Sequence, residues 1–421
     1  MVKNEKQSDY LLLTSRFFSQ AAYYSLFPFL AIIMTSYFKV GLQTVGISIG
    51  IFVVISRFVS FPLGALVDKY GGKYFIIYAN LVSMLAVSAL IFIPKDASLA
   101  ACFFVFIRIV SSASQGTAYK SIIANKLDNI SVRSYSQLNI ASNLGTIVGP
   151  ASIALFPNSN EITYFLILTA FFHLLSLILI LPMQNSVSNE NRLAKKFTIN
   201  IKLFLKTETL LFMLAYVIQF ALLQMLIFCF SYFCLHYFEN VKLASGFFSI
   251  QALIVIPVMY LCYNKYRAIE KFNKSLLFII GVSIFAFSYV FLSLTASFIN
   301  PILCVFILCI LITISEVISA PIADSYLASL GSKNQSGIVF STATLFEALG
   351  TGIGIFWGSK ALEIFSSEKS LLPRIWSVSG AVCLFLLLVI FILLIINSFK
   401  KPSSNLTKNP VNNEQAKSQL K

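Results

Sequence analysis

Gly64-Ala65-Leu66-Val67-Asp68-Lys69-Tyr70-Gly71-Gly72-Lys73-Tyr74 is a charged, glycine-rich stretch between two long apolar runs. Before it, Arg57 is the one charged residue between Val40 and Val67; after it, no charge interrupts Tyr74 to Ile93. A chain leaving hydrocarbon must satisfy backbone groups that its helix no longer pairs, and glycines and interfacial water do that. The stretch therefore predicts a tight turn between two membrane-spanning helices, with Asp68, Lys69 and Lys73 marking the interface.

Composition agrees. Hydrophobic residues make up 58% of the 421-residue chain and charged residues only 11%, with a mean hydropathy of +0.84, against roughly 25% charged residues in soluble domains. The formal net charge of +15 does not point to nucleic acid, because the basic residues alternate between loops as the positive-inside rule expects. Lys3, Lys6, Lys69, Lys73, Lys126, Arg133, Lys195, Lys196, Lys265, Lys333, Lys400 and Lys401 fall on the side of the termini, as does Arg16. The opposite side receives Lys39, Lys95, Lys242, Lys360, Lys369 and Arg374. The expected location is a bacterial inner membrane with both termini cytoplasmic. The polar N-terminus leads into a full-length span without a small-residue cleavage site, so no removable signal peptide is expected. The seven cysteines all fall within apolar runs and read as small core hydrophobes.

A span needs about 20 mostly apolar residues, and twelve stretches qualify: 11–37, 42–67, 74–94, 98–124, 135–157, 161–183, 208–237, 243–264, 274–297, 301–328, 335–359 and 372–397. The expected fold is an all-α polytopic membrane protein, with twelve transmembrane helices in two pseudo-symmetric six-helix bundles. Residues 1–10 form a cytoplasmic N-terminus, 11–183 the first bundle, 184–207 a polar cytoplasmic linker, 208–397 the second bundle and 398–421 a disordered cytoplasmic tail. An internal repeat supports the division. Leu144-Gly145-Thr146-Ile147-Val148-Gly149 returns as Leu349-Gly350-Thr351-Gly352-Ile353-Gly354 at an offset of 205 residues, and Asp68-Lys69-Tyr70 has a worn counterpart in Asn264-Lys265-Tyr266.

The opening stretch carries G-x-L-x-D-[RK]-x-G-x-[RK] at Gly64, Leu66, Asp68, Lys69, Gly71 and Lys73. This resembles the loop between helices 2 and 3 of the major facilitator superfamily. The resemblance implies alternating access, in which two halves rock about a mid-membrane site. It also implies a conformational latch. Asp68 would hold the positive end of helix 11, near Lys333 to Ser336, while Lys69 and Lys73 hold the loop to the interface.

Helix 5 contains Gly145-Thr146-Ile147-Val148-Gly149-Pro150. Two glycines four apart let another helix approach closely, and the proline removes a backbone donor. These residues also resemble the helix-5 motif of the drug:proton antiporter branch, which includes multidrug efflux proteins. Ile153 and Ala154 stand where that motif ends in two glycines. In helix 4, Gln115-Gly116 fits the superfamily's R-x-x-Q-G, but Ser112 occupies the arginine position and Arg108 lies one turn further out.

Charges inside a bilayer cost about 2.5–3.5 kcal/mol each at a helix centre even on lenient scales, so they need a cavity or a partner. Arg57 lies about 16 Å from Asp68 along its helix, and Arg108 about 15 Å from the start of helix 4, at 1.5 Å per residue. Glu316 and Glu347 reach similar depth, and Asp324 sits two turns nearer the terminal side. The deep positive charges belong to the first half and the deep carboxylates to the second. Helices 1, 4, 7 and 10 line the cavity in the superfamily, which would set Arg108 and Glu316 on facing walls. Either these charges are structural ion pairs between the halves, or one of Glu316, Glu347 and Asp324 carries a proton, since low dielectric favours a carboxylate's protonated form. Substrate-cavity candidates are Arg57, Arg108, Gln20, Tyr23, Tyr24, Gln115, Gln219 and Gln224.

His173 and His236 lie in different halves without ligand spacing, so a metal site is unsupported. No Walker motif and no catalytic Ser/His/Asp or Cys/His set can be assembled. The chain is expected to be a transporter rather than an enzyme, a monomer without cofactors, whose partners are protons, a small-molecule substrate and the lipid bilayer. The helix-5 resemblance implies proton-coupled efflux. The two deep arginines instead suit an organic anion, such as a carboxylate metabolite or carboxylate siderophore, in import or export. A transporter-like receptor or scaffold that binds without turnover is the third possibility.

Overall fold

A computed structural model of the chain describes residues 2–112, 115, 116, 118, 119, 122, 132–154, 162–183, 206–262, 273–330 and 336–400. The fold is all-α, and twelve long helices follow one another: α1 (Val2–Leu26), α2 (Leu42–Tyr70), α3 (Gly72–Phe92), α4 (Ser98–Ser112), α5 (Val132–Ala154), α6 (Ile162–Ile180), α7 (Thr207–His236), α8 (Lys242–Cys262), α9 (Lys274–Thr295), α10 (Pro301–Leu330), α11 (Ser336–Phe365) and α12 (Arg374–Lys400). Nine spans among the described residues are long and apolar enough to cross a bilayer, and α4 is a shorter apolar helix. The interior helices α5 and α11 are long enough but richer in Gly, Ser, Thr and Asn.

Several boundaries differ from the sequence expectation. Helix 1 is not regular over 11–37. Its helix begins at Val2, while the stretch apolar enough to span runs from Asp9. It breaks after Leu26 into a 3₁₀ turn over Phe27–Phe29, and ends in a π turn over Ile33–Tyr37. Pro28 explains the break, because it lacks an N–H and its ring crowds the preceding turn. The last helix runs to Lys400, three residues into the expected tail. Residues 184–205, 263–272 and 401–421, which include most of the linker, the worn repeat at 264–266 and most of the tail, lie outside the described residues.

The opening turn is tighter than expected, with α2 reaching Tyr70 and α3 starting at Gly72. Gly71 alone makes the turn, at φ 89°, with its N–H on the Val67 carbonyl at 2.9 Å. That left-handed conformation is why glycine stands there. Lys73 donates to the Leu181 carbonyl at 2.7 Å, satisfying a backbone group at the end of α6.

The two halves repeat one packing scheme. In the first, α1 packs on α5 and α6, α3 on α4 and α6, and α2 on α4; in the second, α7 packs on α11 and α12, α9 on α10 and α12, and α8 on α10. The paired glycines show how closely this symmetry holds. A Cβ at Gly145 or Gly149 would collide with the α1 backbone at Phe17 and Ala21; one at Gly350 or Gly354 would collide with the α7 backbone at Val217 and Ala221. Both halves therefore use the same small-residue approach.

The seam between the halves is built from α2 against α11, α5 against α8, and the 27–32 segment against α7. The first two are again equivalent by the six-helix offset. A Cβ at Gly46 would overlap Ser359, and Ser249 donates to the Ile147 carbonyl at 2.9 Å. These described contacts lie from mid-membrane towards the side opposite the termini, so the structure is closed on that side. A cluster of Trp376 with Phe230, Phe233 and Tyr289 anchors the same end of the second half.

Candidate functional site

The site is organised by adjacent aromatic residues on α1. Tyr23 and Tyr24 meet edge to face with ring centroids 5.3 Å apart, and Phe27 stacks on Tyr23 at 4.9 Å. From α4, the Arg108 guanidinium carbon sits 5.1 Å from the Tyr23 centroid, a cation–π contact worth about 0.5–2 kcal/mol. Arg108 is only 2% exposed, and its Nε has no hydrogen-bond partner. It makes no ion pair among the described residues.

Arg57 and Glu347 are also within electrostatic range of Tyr23, and these two satisfy each other. The Arg57 guanidinium of α2 reaches the Glu347 carboxylate of α11 at 2.7 Å, with side-chain exposures of 34% and 18%. Tyr24 is instead within range of Glu316 and Arg16. The half-buried Glu316, on α10, accepts from the Gln251 amide of α8 at 2.6 Å and has no cationic partner among the described residues. Arg108 of the first half thus lies against Tyr23, while Glu316 of the second half is held by Gln251.

The candidate glutamines each have a local partner or an unpartnered amide atom. Gln115 accepts from Ser19 at 2.9 Å and leaves its Nε2 unpartnered; Gln219 donates to Ser319 at 2.9 Å and leaves its Oε1 unpartnered. Gln224 is buried with an unpartnered Oε1. Gln20 lies beside Gly145, at the α1–α5 contact. Pro150 sits within α5 just past the glycine pair. Gly64, Asp68 and Lys69 occupy the last turns of α2, but their side chains, and that of Asp324 in α10, lie outside the described residues, as does the 333–335 stretch expected to receive the latch.

Three features were not foreseen from the sequence. Arg16, grouped there with the terminal-side charges, is half-buried, with its Nε on Ser142 at 2.8 Å and its guanidinium carbon 5.2 Å from the Tyr119 centroid. Its place two turns before Tyr23 on one helix face was a usable signal. Gln251 carried none. Neither did the buried pair in which His173 Nδ1 lies 3.1 Å from Asn80 Oδ1; since the Asn80 amide donates to the Ile76 carbonyl at 3.0 Å, His173 is the donor to that oxygen.

The sequence profile described as Major Facilitator Superfamily matches residues 12–355. The chain belongs to the major facilitator superfamily. This superfamily member moves a solute across a membrane, and its fold and family are those of transporters rather than enzymes. Its fold is shared with the crystal structure of nucleoside transporter NupG, at 13% identity and a TM-score of 0.70, covering 92% of this chain and 99% of that one. Peptide transporter POT in complex with sulfate gives 15% identity and a TM-score of 0.73, with 93% and 94% covered. A POT family transporter in complex with a thioalcohol-conjugated peptide gives 14% and 0.72, with 93% and 96% covered. No curated protein matches significantly.

Proposed function

We propose that this transporter couples a small organic solute to protons by alternating access, with Glu316 as the proton site and Arg108 as the residue that reads an anionic group. One observation carries the reading. Of the four charges Arg57, Arg108, Glu316 and Glu347, Glu316 and Arg108 have no ionic partner among the described residues, while Arg57 and Glu347 neutralise each other. A lone carboxylate in a low-dielectric interior is suited to taking up a proton on one side and releasing it on the other. The pairing supports the structural ion-pair reading for Glu347 and leaves Glu316 as the stronger proton candidate.

Efflux remains the first assignment of direction, on the resemblance of Gly145 to Pro150 to the drug:proton antiporter motif. The glycines of that motif are also explained by the α1 contact, and Gly350 and Gly354 do the same in the other half. Direction therefore rests on a feature that helix packing also demands. An organic-anion transporter, working in either direction, is the second reading, favoured by Arg108. The similar structures named as nucleoside and peptide transporters agree with a small polar solute. Placing the termini in the cytoplasm of a bacterial inner membrane follows from the lysine and arginine bias, and makes the observed state closed to the outside.

A thermal-shift screen of the purified chain against carboxylates, organic cations and neutral solutes tests binding. Counterflow of any hit in proteoliposomes then separates transport from binding without turnover. Binding without counterflow would turn the reading towards a receptor.

A further inference from the structure

We infer that Arg16 and Gln115 form an oxyanion subsite on the terminal side of Arg108, where a carboxylate or phosphate group of the solute is held. The inference rests on the reading of the solute as anionic and adds a second place where its anionic group binds.

The subsite is a frame of four side chains. Arg16 and Ser19 are three residues apart on α1, while Gln115 and Tyr119, helical residues that follow α4, are four apart. Residues at these spacings are neighbours on a helix face, with Cβ atoms about 5–6 Å apart. Two cross contacts join the pairs. Ser19 donates to Gln115 Oε1 at 2.9 Å, and the Arg16 guanidinium carbon lies 5.2 Å from the Tyr119 centroid. The Gln115 amide and the Arg16 guanidinium therefore belong to one turn of the contact between these helices. The frame is held from behind. The Tyr119 hydroxyl lies 2.8 Å from the Ser15 hydroxyl, which lies 3.0 Å from that of Ser176 on α6. Ser142 of α5 accepts from Arg16 Nε at 2.8 Å.

What these contacts leave free is all donor. With Nε engaged, the Arg16 guanidinium presents its two terminal nitrogens, which have no partner among the described residues and are not sealed from solvent. That edge is the planar fork that takes a carboxylate or phosphate through two parallel bonds. Gln115 is 6% exposed and its Nε2 has no partner, so a buried donor stands beside the fork. Leaving such a donor unpaired is costly. Arg16 has no carboxylate partner among the described residues. A group that carries negative charge and accepts through two or more oxygens answers both side chains, whereas a cation answers neither. The position also separates the subsite from Arg108. Arg16 lies seven residues before Tyr23 on α1, about 10 Å towards the terminal side, and the described seam is closed on the opposite side. Arg16 is half-buried where Arg108 is 2% exposed. In this state an anion from the terminal side meets Arg16, and Arg108 is shut in.

The experiment uses the full chain in a maltoside detergent, which carries no phosphate. The probes are benzoate, phenyl phosphate and methyl benzoate. Phenylglyoxal, which modifies arginine side chains, is followed peptide by peptide by mass spectrometry. Benzoate and phenyl phosphate should protect Arg16 from modification, and methyl benzoate should not. Affinities are read from ligand-dependent thermal shifts. Arg16→Gln should lower the affinity for benzoate at least about tenfold and leave methyl benzoate unchanged, and Gln115→Leu should lower benzoate about threefold. Arg16→Lys, which keeps the charge and loses the fork, should fall between the natural chain and Arg16→Gln. Failure of both anions to protect Arg16 in the natural chain would overturn the subsite without requiring any variant to fold. Protection that appears only when phosphatidylglycerol is added to the micelles would assign the donors to a lipid headgroup and would also overturn it. Benzoate affinity lost in Arg108→Gln but kept in Arg16→Gln would overturn the subsite and leave the anionic reading of Arg108 intact. Protection of Arg16 by benzoate without counterflow of any anion in proteoliposomes would uphold the subsite and refute transport.

Discussion

Arg57 of α2 and Glu347 of α11 face each other at 2.7 Å across the seam between the two halves. Their pairing ties together helices that alternating access must allow to move. An exposed ion pair is worth at most about 1 kcal/mol, whereas breaking a fully buried one costs about 3–5 kcal/mol. With roughly a third of Arg57 exposed, this pair belongs between those limits. Arg57→Ala and Glu347→Gln should each lower the melting temperature, and the charge-swapped double variant should recover part of the loss. Strict additivity in the double-mutant cycle would show that the contact carries no coupling.

Arg108 rests on Tyr23 with no other ionic support among the described residues. Arg108→Ala should weaken carboxylate binding much more than binding of neutral solutes, while equal loss would indicate a structural role. Tyr23→Leu removes the cation–π contact, worth about 0.5–2 kcal/mol, together with the ring contacts to Tyr24 and Phe27, and should weaken carboxylate binding in the same direction but less. Affinities from thermal shifts would check both.

The glycine pairs make a symmetrical prediction. Gly149→Val and Gly354→Val should destabilise the protein by similar amounts, about 1–3 kcal/mol or more, because each drives a side chain into the backbone of the facing helix. Gly246→Ala meets nothing within 4 Å and should be tolerated. Comparing the three melting curves tests the equivalence of the halves.

Asp68 lies in the last turn of α2, three residues before the Gly71 turn. If it latches the N-terminal end of α11, Asp68→Asn should abolish transport without affecting membrane insertion. Unchanged uptake kinetics in that variant would remove the latch from the mechanism.

Much of the fold was legible because its determinants are local or periodic. Apolar runs long enough to span a bilayer set the helices, and glycines recurring at an offset of 205 residues recorded a close helix approach made twice. Gly71 was legible as a turn, although the helices run further into it than the charges suggested. Pro28 marked the break in the first helix, but an apolar run up to Tyr37 disguised it. The site was legible only in part. Depth along a helix follows from residue count, which brought out Arg57, Arg108, Glu316 and Glu347. Lateral partners depend on how helices rotate against one another, so neither the Arg57–Glu347 pair nor the amide of Gln251 on Glu316 could be read from spacing. Arg16 shows the same limit less strictly, since a charge near the end of a span can reach the interface or turn inward, and only its spacing from Tyr23 on α1 hinted at the inward course.

The proton role of Glu316 is tested most directly by flux in proteoliposomes under an imposed pH gradient, comparing the natural chain with Glu316→Gln. The natural chain should move its solute against a concentration gradient when the pH gradient is applied. Glu316→Gln should lose that pH-driven movement yet still exchange solute across the membrane at raised solute concentration. Full pH-driven flux in Glu316→Gln would contradict the assignment of the proton to this carboxylate.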